Sequence, residues 1–255
     1  MNGWIAAAAA TLALSAATIE GTDLTDFLQG TPGADQVLAK GGDDVVFGLG
    51  DDDRIDGGPG RDVLHGDGVC PPGTERPDVC TDDDDRTGGD DTLRGGDGDD
   101  TLIAGRGNDQ LLGEAGVDSL SADAGNDEVD AGDDDDEIDG GTGLDRIDAG
   151  AGDDWIATGA GSDRIEGGAG NDLIATESGN DRISGGSGND QIESGGGKDR
   201  IDGGSGRDDI ESGPGSDTID VRDGTRDEVN CGSGRDTVRA DRRDRLVSCE
   251  GVNRR

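Results

Sequence analysis

Aspartate stands at every ninth position from Asp91 to Asp217, fifteen times, and five more hold the same spacing from Asp26 to Asp62. Glycine stands two residues before the aspartate in fourteen of the fifteen, and Leu, Val or Ile stands two residues after each one. Carboxylates, and the carbonyls that glycine turns leave uncovered, are hard oxygen donors. Calcium takes about six to eight such oxygens at about 2.3–2.6 Å in flexible geometry, whereas magnesium demands a strict octahedron and keeps its waters. The candidate ligands are Asp35, Asp44, Asp53 and Asp62, then Asp91, Asp100, Asp109, Asp118, Asp127, Asp136, Asp145, Asp154, Asp163, Asp172, Asp181, Asp190, Asp199, Asp208 and Asp217. Some loops are weaker: Asp26 follows Leu24, Asp53 follows Asp51, Asp136 follows Asp134, and the turn before Asp181 carries Glu177.

Such a rank must be positioned by short elements. The three residues around each aliphatic position are too few for a helix and suit a strand in which alternate side chains face opposite sides, so the aliphatic one points inward. All twenty of these positions are aliphatic, with ten successive isoleucines from Ile138 to Ile219, and β-branching favours a strand. The six residues between strands must reverse the chain, and their glycines supply the positive φ that tight turns need. Two repeats then make one turn of 18 residues. Asp172, Asp190 and Asp208 have paired glycines in their loops, whereas Asp181, Asp199 and Asp217 follow Thr176-Glu177, Ser194-Gly195 and Ser212-Gly213, so the two edges differ.

Stacked turns put each aspartate about 4.8 Å from its counterpart, and columns of carboxylates at that distance oppose folding unless a cation lies between them. If each ion bridges loops one turn apart, the fifteen-loop block offers thirteen bridges and the five-loop block three, a ceiling of about 16 calcium ions. Their +32 would take the formal charge of −39 to about −7.

Six loops carry the fuller form G-G-x-G-x-D: Gly57 to Asp62, Gly95 to Asp100, Gly140 to Asp145, Gly167 to Asp172, Gly185 to Asp190 and Gly203 to Asp208. With the aliphatic residue that follows, the unit resembles the nonapeptide G-G-x-G-x-D-x-U-x of the RTX, or hemolysin-type, calcium-binding family, over roughly residues 26 to 219. The resemblance implies an all-β fold, a parallel β-roll or β-solenoid, with calcium ions held between stacked loops.

Composition alone would indicate disorder, because Leu, Ile, Val and Phe make up 44 of 255 residues beside 51 glycines and a net charge of −39. A disordered linker, however, has no reason to hold its apolar residues in one phase.

Residues 1–17 read as a signal peptide, with an apolar stretch from Ile5 to Ala17 ending in Ser15-Ala16-Ala17, although Met1 to Trp4 contain no basic residue. Residues 18–65 form the first repeats. Residues 66–88 form a Pro- and Asp-rich insert that makes the step from Asp62 to Asp91 29 positions, not a multiple of nine. Residues 89–221 form the main block, and 222–255 an arginine-rich cap with nine arginines against seven acids. Such a cap would close the exposed last layer of a solenoid. The four cysteines suit an oxidising compartment. Sequence-local pairing predicts Cys70 with Cys80 and Cys231 with Cys249; zinc is the competing reading, but no C-x-x-C occurs. The tail, with Cys231-Gly-x-Gly-x-Asp236-x-Val238 and a later Cys249-Glu250, resembles the ending of RTX-type calcium-binding proteins of actinobacteria.

The chain lacks H-E-x-x-H, G-x-S-x-G, a P-loop and tyrosine, and its only histidine is His65, so no catalytic activity is expected. The reading is a secreted, extracellular calcium-binding protein folded by its metal. It is expected to be a monomer with no membrane span and no nucleic acid, and its partner in the cell envelope or matrix is left open. The alternative is a calcium-stiffened adhesion or spacer module, for which Trp155 is the one outward aromatic expected in the repeats; ice binding finds only Thr142, with Leu144 where asparagine would stand. Outward Arg54, Arg146, Arg164, Arg182 and Arg200 read as solvated charges that offset acidic neighbours.

Overall fold

The computed structural model describes residues 16–67 and 88–254. Residues 1–15 of the segment expected as a signal peptide, and the expected Cys70–Cys80 pair, lie outside the described residues. Every element among the described residues is a strand, and no helix there is long and apolar enough to cross a membrane. The chain divides into two compact units, Met1–Ala131 and Gly132–Arg255. Each is a parallel β-solenoid.

In the first unit one sheet runs through Thr18–Glu20, Gln36–Leu38, Arg54–Asp56, Thr92–Asp97 and Gln110–Ala115. The other runs through Phe27–Gln29, Val45–Leu49, Val63–Asp67, Thr101–Ile103 and Ser119–Ser121. Thr18 pairs with Gln36 and Gln36 with Arg54, a step of 18 residues. Across the insert Arg54 pairs with Thr92 and Val63 with Thr101, a step of 38. The excess of 20 equals the number of residues between Asp67 and Gly88. The coil therefore resumes in phase at Gly88.

In the second unit one sheet runs from Arg146–Ala151 through Arg164–Ala169, Arg182–Ser187, Arg200–Asp202, Thr218–Val221 and Thr237–Ala240 to Gly251–Arg254. The other begins at Glu137–Asp139 and ends with Glu228–Asn230 and Arg245–Val247. The segment expected as a cap thus adds further turns to the stack. Its steps lengthen to 19 at Thr218 to Thr237, then shorten to 17 at Glu228 to Arg245 and 14 at Thr237 to Gly251.

The aliphatic positions form the core, between 0 and 3 % exposed from Leu28 to Ile219. They are not alone inside. The repeating aspartates are buried too, as is the residue five places before many of them, Ala39, Ala104, Ala149, Ser194 and Ser212 for example. Both flank the aliphatic residue at a distance of two, so the same alternation that buries Ile156 also buries Asp154 before it and Thr158 after it. In the first unit Phe47 stacks on His65 (centroids 4.2 Å apart, planes 4° apart) and meets Phe27 edge-on, all three shielded from solvent. Trp155 is exposed, beside Leu173 on the next strand.

Candidate metal centre

The fuller loops are shaped by three glycines with separate roles. The middle one, four places before the aspartate, has positive φ, as at Gly168 (+106°), Gly186 (+103°) and Gly204 (+91°). The third also has positive φ at Gly170, Gly188 and Gly206, where an added Cβ would collide with a carbonyl one turn back. The first makes room for the aspartate itself. A Cβ on Gly185 would lie 2.5 Å from Asp190 Oδ2 and 2.5 Å from the Gly203 carbonyl, and one on Gly167 would lie 2.6 Å from Asp172 Oδ2 and 2.6 Å from the Gly185 carbonyl. A carboxylate oxygen and a carbonyl of the following turn thus converge on Gly57, Gly95, Gly167 and Gly185, whereas side-chain carbons pack against Gly140 and Gly203. Gly66, before the insert, performs this role for Asp91, whose Oδ2 presses against it.

The aspartates form two columns in each unit, tied by one repeated bond: the main-chain N–H of each donates to Oδ1 of its counterpart one turn on. In the first unit these bonds run from Asp26 through Asp44, Asp62 and Asp100 to Asp118, and from Asp35 through Asp53, Asp91 and Asp109 to Asp127, at 2.7–2.8 Å. In the second they join Asp136, Asp154, Asp172, Asp190, Asp208 and Asp227, and likewise Asp145, Asp163, Asp181, Asp199, Asp217 and Asp236, at 2.9–3.1 Å. Asp227 continues to Asp244 at 3.3 Å, and Asp236 to Glu250 Oε2 at 3.2 Å. Every sequence-predicted ligand therefore falls on a column, including those of the weaker loops. Fixed counting by nines missed Asp227, Asp236, Asp244 and Glu250, although Asp227-Glu-Val229 and Asp236-Thr-Val238 keep the aspartate-to-aliphatic spacing.

In most of these carboxylates one oxygen is thereby satisfied and the other is not, whereas Asp35, Asp199 and Asp244 accept bonds at both. Oδ2 of Asp44, Asp62, Asp91, Asp100, Asp109, Asp154, Asp172, Asp190 and Asp208 is buried without a hydrogen-bond partner. An unpaired buried acceptor is costly, and a charged one more so. Burial first, and neighbouring carboxylates with it, push Asp91 up to about 8 and Asp62, Asp109, Asp172 and Asp208 up to about 7, against an ordinary 3.8; bonds from main-chain N–H groups pull the other way. The edges differ, as the sequence suggests. Where Ser194 replaces the first glycine, its hydroxyl donates to Asp199 Oδ2 at 2.9 Å.

The donor set fits calcium. Among the described residues no three His, Cys, Asp or Glu side chains converge, so an ion between turns would take one or two carboxylates and complete its shell from carbonyls. Calcium accepts that mixture, and zinc, which prefers His and Cys, does not. The cradle is also explicit: at Gly167 and Gly185 an orphaned Oδ2 and a carbonyl oxygen of the next turn approach the same point. At Cys231 and Cys249 the structure forms the expected disulfide, with Cα atoms 5.2 Å apart, rather than a metal site.

No curated protein matches the chain. The family of the RTX calcium-binding nonapeptide repeat (4 copies) matches residues 20–55, 38–68, 85–120, 112–147, 139–174, 158–192, 175–210, 184–219 and 202–238. Aspartate columns, glycine cradles and matches over most of its length agree, and the chain belongs to the RTX calcium-binding nonapeptide repeat family.

Proposed function

We propose that the protein is a secreted calcium-binding solenoid that folds on its metal and carries no catalytic chemistry. The observation that supports this best is the column of buried Oδ2 atoms without partners, since a divalent cation offsets desolvated carboxylates and takes carbonyl oxygens into the same shell. Residues 1–17 as an export signal, and a disulfide in the tail, favour an extracellular destination. The count of about 16 ions is a ceiling, and the hydroxyl-lined edge near Asp199 favours fewer.

Circular dichroism tests the reading. In chelator at neutral pH the spectrum should be that of a disordered chain. Calcium should produce β-structure cooperatively, with a midpoint at roughly 0.1–1 mM, and magnesium should do little. Full β-content in chelator, or equal action by magnesium, would leave a solenoid held by its own core.

One observation favours the alternative of an adhesion or spacer module. Trp155 and Leu173 sit side by side and exposed on one sheet, with Ala157 beside Ala175 on the same face. A pull-down against the producing cell's envelope that depended on Trp155 would support it.

A further inference from the structure

The last turn of the second unit departs from the nonapeptide, yet it repeats the geometry of the turns before it. Asp236 is fully buried and its Oδ2 has no hydrogen-bond partner, as in the columns above. Its loop has Gly232 and Gly234 at positive φ (+69° and +147°), and Cys231 where the two preceding turns on that edge have Ser194 and Ser212. Those residues form one buried file: the Ser194 hydroxyl oxygen lies 3.1 Å from the Ser212 carbonyl oxygen, and the Ser212 hydroxyl oxygen 3.2 Å from the Cys231 carbonyl oxygen. The Asp236 N–H then donates to Glu250 Oε2 at 3.2 Å, as each aspartate above it donates to the carboxylate one turn on. Only 14 residues separate this pair, and Glu250 is the direct neighbour of Cys249, which is bonded to Cys231.

We infer that Glu250 supplies the closing carboxylate of this column and, with Asp236, completes a terminal calcium site whose geometry is set by the Cys231–Cys249 disulfide. The inference rests on the calcium reading above. It gives the disulfide a task beyond stapling the chain end. The last turn lies beyond the aliphatic file that ends at Val238, and Val252 opposite it is exposed, so its own core holds Glu250 weakly. Without the bridge, Glu250 is held only by the terminal strand that follows it, Gly251–Arg254, which has a partner on one side only. In this account Glu250 is a ligand and the disulfide a positioning device.

Two variants of the full chain test it. Glu250→Gln keeps an oxygen to accept the Asp236 N–H but removes the charge. Cys231→Ser with Cys249→Ser opens the bridge while placing at 231 the residue that the two preceding turns already have there. Native mass spectrometry across a calcium titration should show one ion fewer for Glu250→Gln. The paired serine variant should need roughly tenfold more calcium to take up that last ion. Hydrogen exchange should show Gly251–Arg254 losing calcium-dependent protection in both, with Arg182–Ser187 protected as in the wild type. Ion counts and protection identical to wild type in both variants would overturn the site. A lost ion in Glu250→Gln with none weakened in the serine pair would overturn the positioning role. Failure of the calcium reading would be visible separately, as a wild-type protein that takes up no calcium.

Discussion

The main-chain N–H of Asp53 donates to Asp91 Oδ1 at 2.7 Å across 38 residues, the same bond that joins Asp35 to Asp53 across 18. The coil therefore treats Asp67 and Gly88 as neighbours. Asp67 lies against Gly105 and Gly88 against Arg106, consecutive residues of the following turn.

Deleting residues 68–87 and joining Asp67 to Gly88 should then leave the solenoid intact. The entropy of closing a loop varies slowly with its length, so the melting temperature in saturating calcium should change by no more than a few degrees. A deletion variant that failed to gain β-structure with calcium would show that the insert takes part in the fold.

Ile183 and Arg182 are adjacent, one fully inside and one outside. Ile183→Asp places an uncompensated charge in a narrow core and should cost at least about 3 kcal/mol. Arg182→Ala should cost less than about 1 kcal/mol. Urea denaturation of both in saturating calcium decides, and equal losses would mean that the faces are misassigned.

Much of this was legible in the sequence because two periods coincide. The aliphatic residue after each aspartate reports the core, and the aspartate with its glycines reports the loop. What counting by nines could not see is set by strand pairing instead. One extra residue between Asp217 and Asp227, and the shortened steps to Asp244 and Glu250, are absorbed in loops while the columns continue. The burial of Ser194, Ser212 and Cys231 was equally hidden, because small polar residues in a turn read as exposed until their hydroxyls are seen to line up along the stack.

Imperfect loops keep the shape of good ones at a conformational cost. Asp134, where glycine belongs before Asp136, takes φ +79°, in the left-handed region that side chains disfavour. Asp134→Gly should stabilise the calcium-loaded protein by about 0.5–1 kcal/mol. Gly188→Ala, at φ +137° with the Gly170 carbonyl in the way, should instead cost more than about 2 kcal/mol. Urea midpoints shifted in the same direction by both changes would refute this account of the loops.

Proton and calcium should compete for the columns, with opposite effects on stability in the presence and absence of metal. Asp91 is raised to about 8, and Asp62, Asp109, Asp172 and Asp208 to about 7, from 3.8. A carboxyl whose folded value lies above its unfolded one holds its proton more tightly in the fold. Its contribution is complete below about 3.8 and disappears as the pH rises through about 7–8. Without metal, β-structure should accordingly increase as the pH falls from 8 towards 5. With calcium the sense reverses, because the ion needs the deprotonated carboxylate. The calcium midpoint should rise as the pH falls from 8 to 6, and binding at pH 7 should release protons. Calorimetric titration in buffers of different ionisation enthalpy measures that release directly. A calcium midpoint independent of pH over this range, with no protons released, would mean that the buried carboxylates are already ionised before the metal arrives.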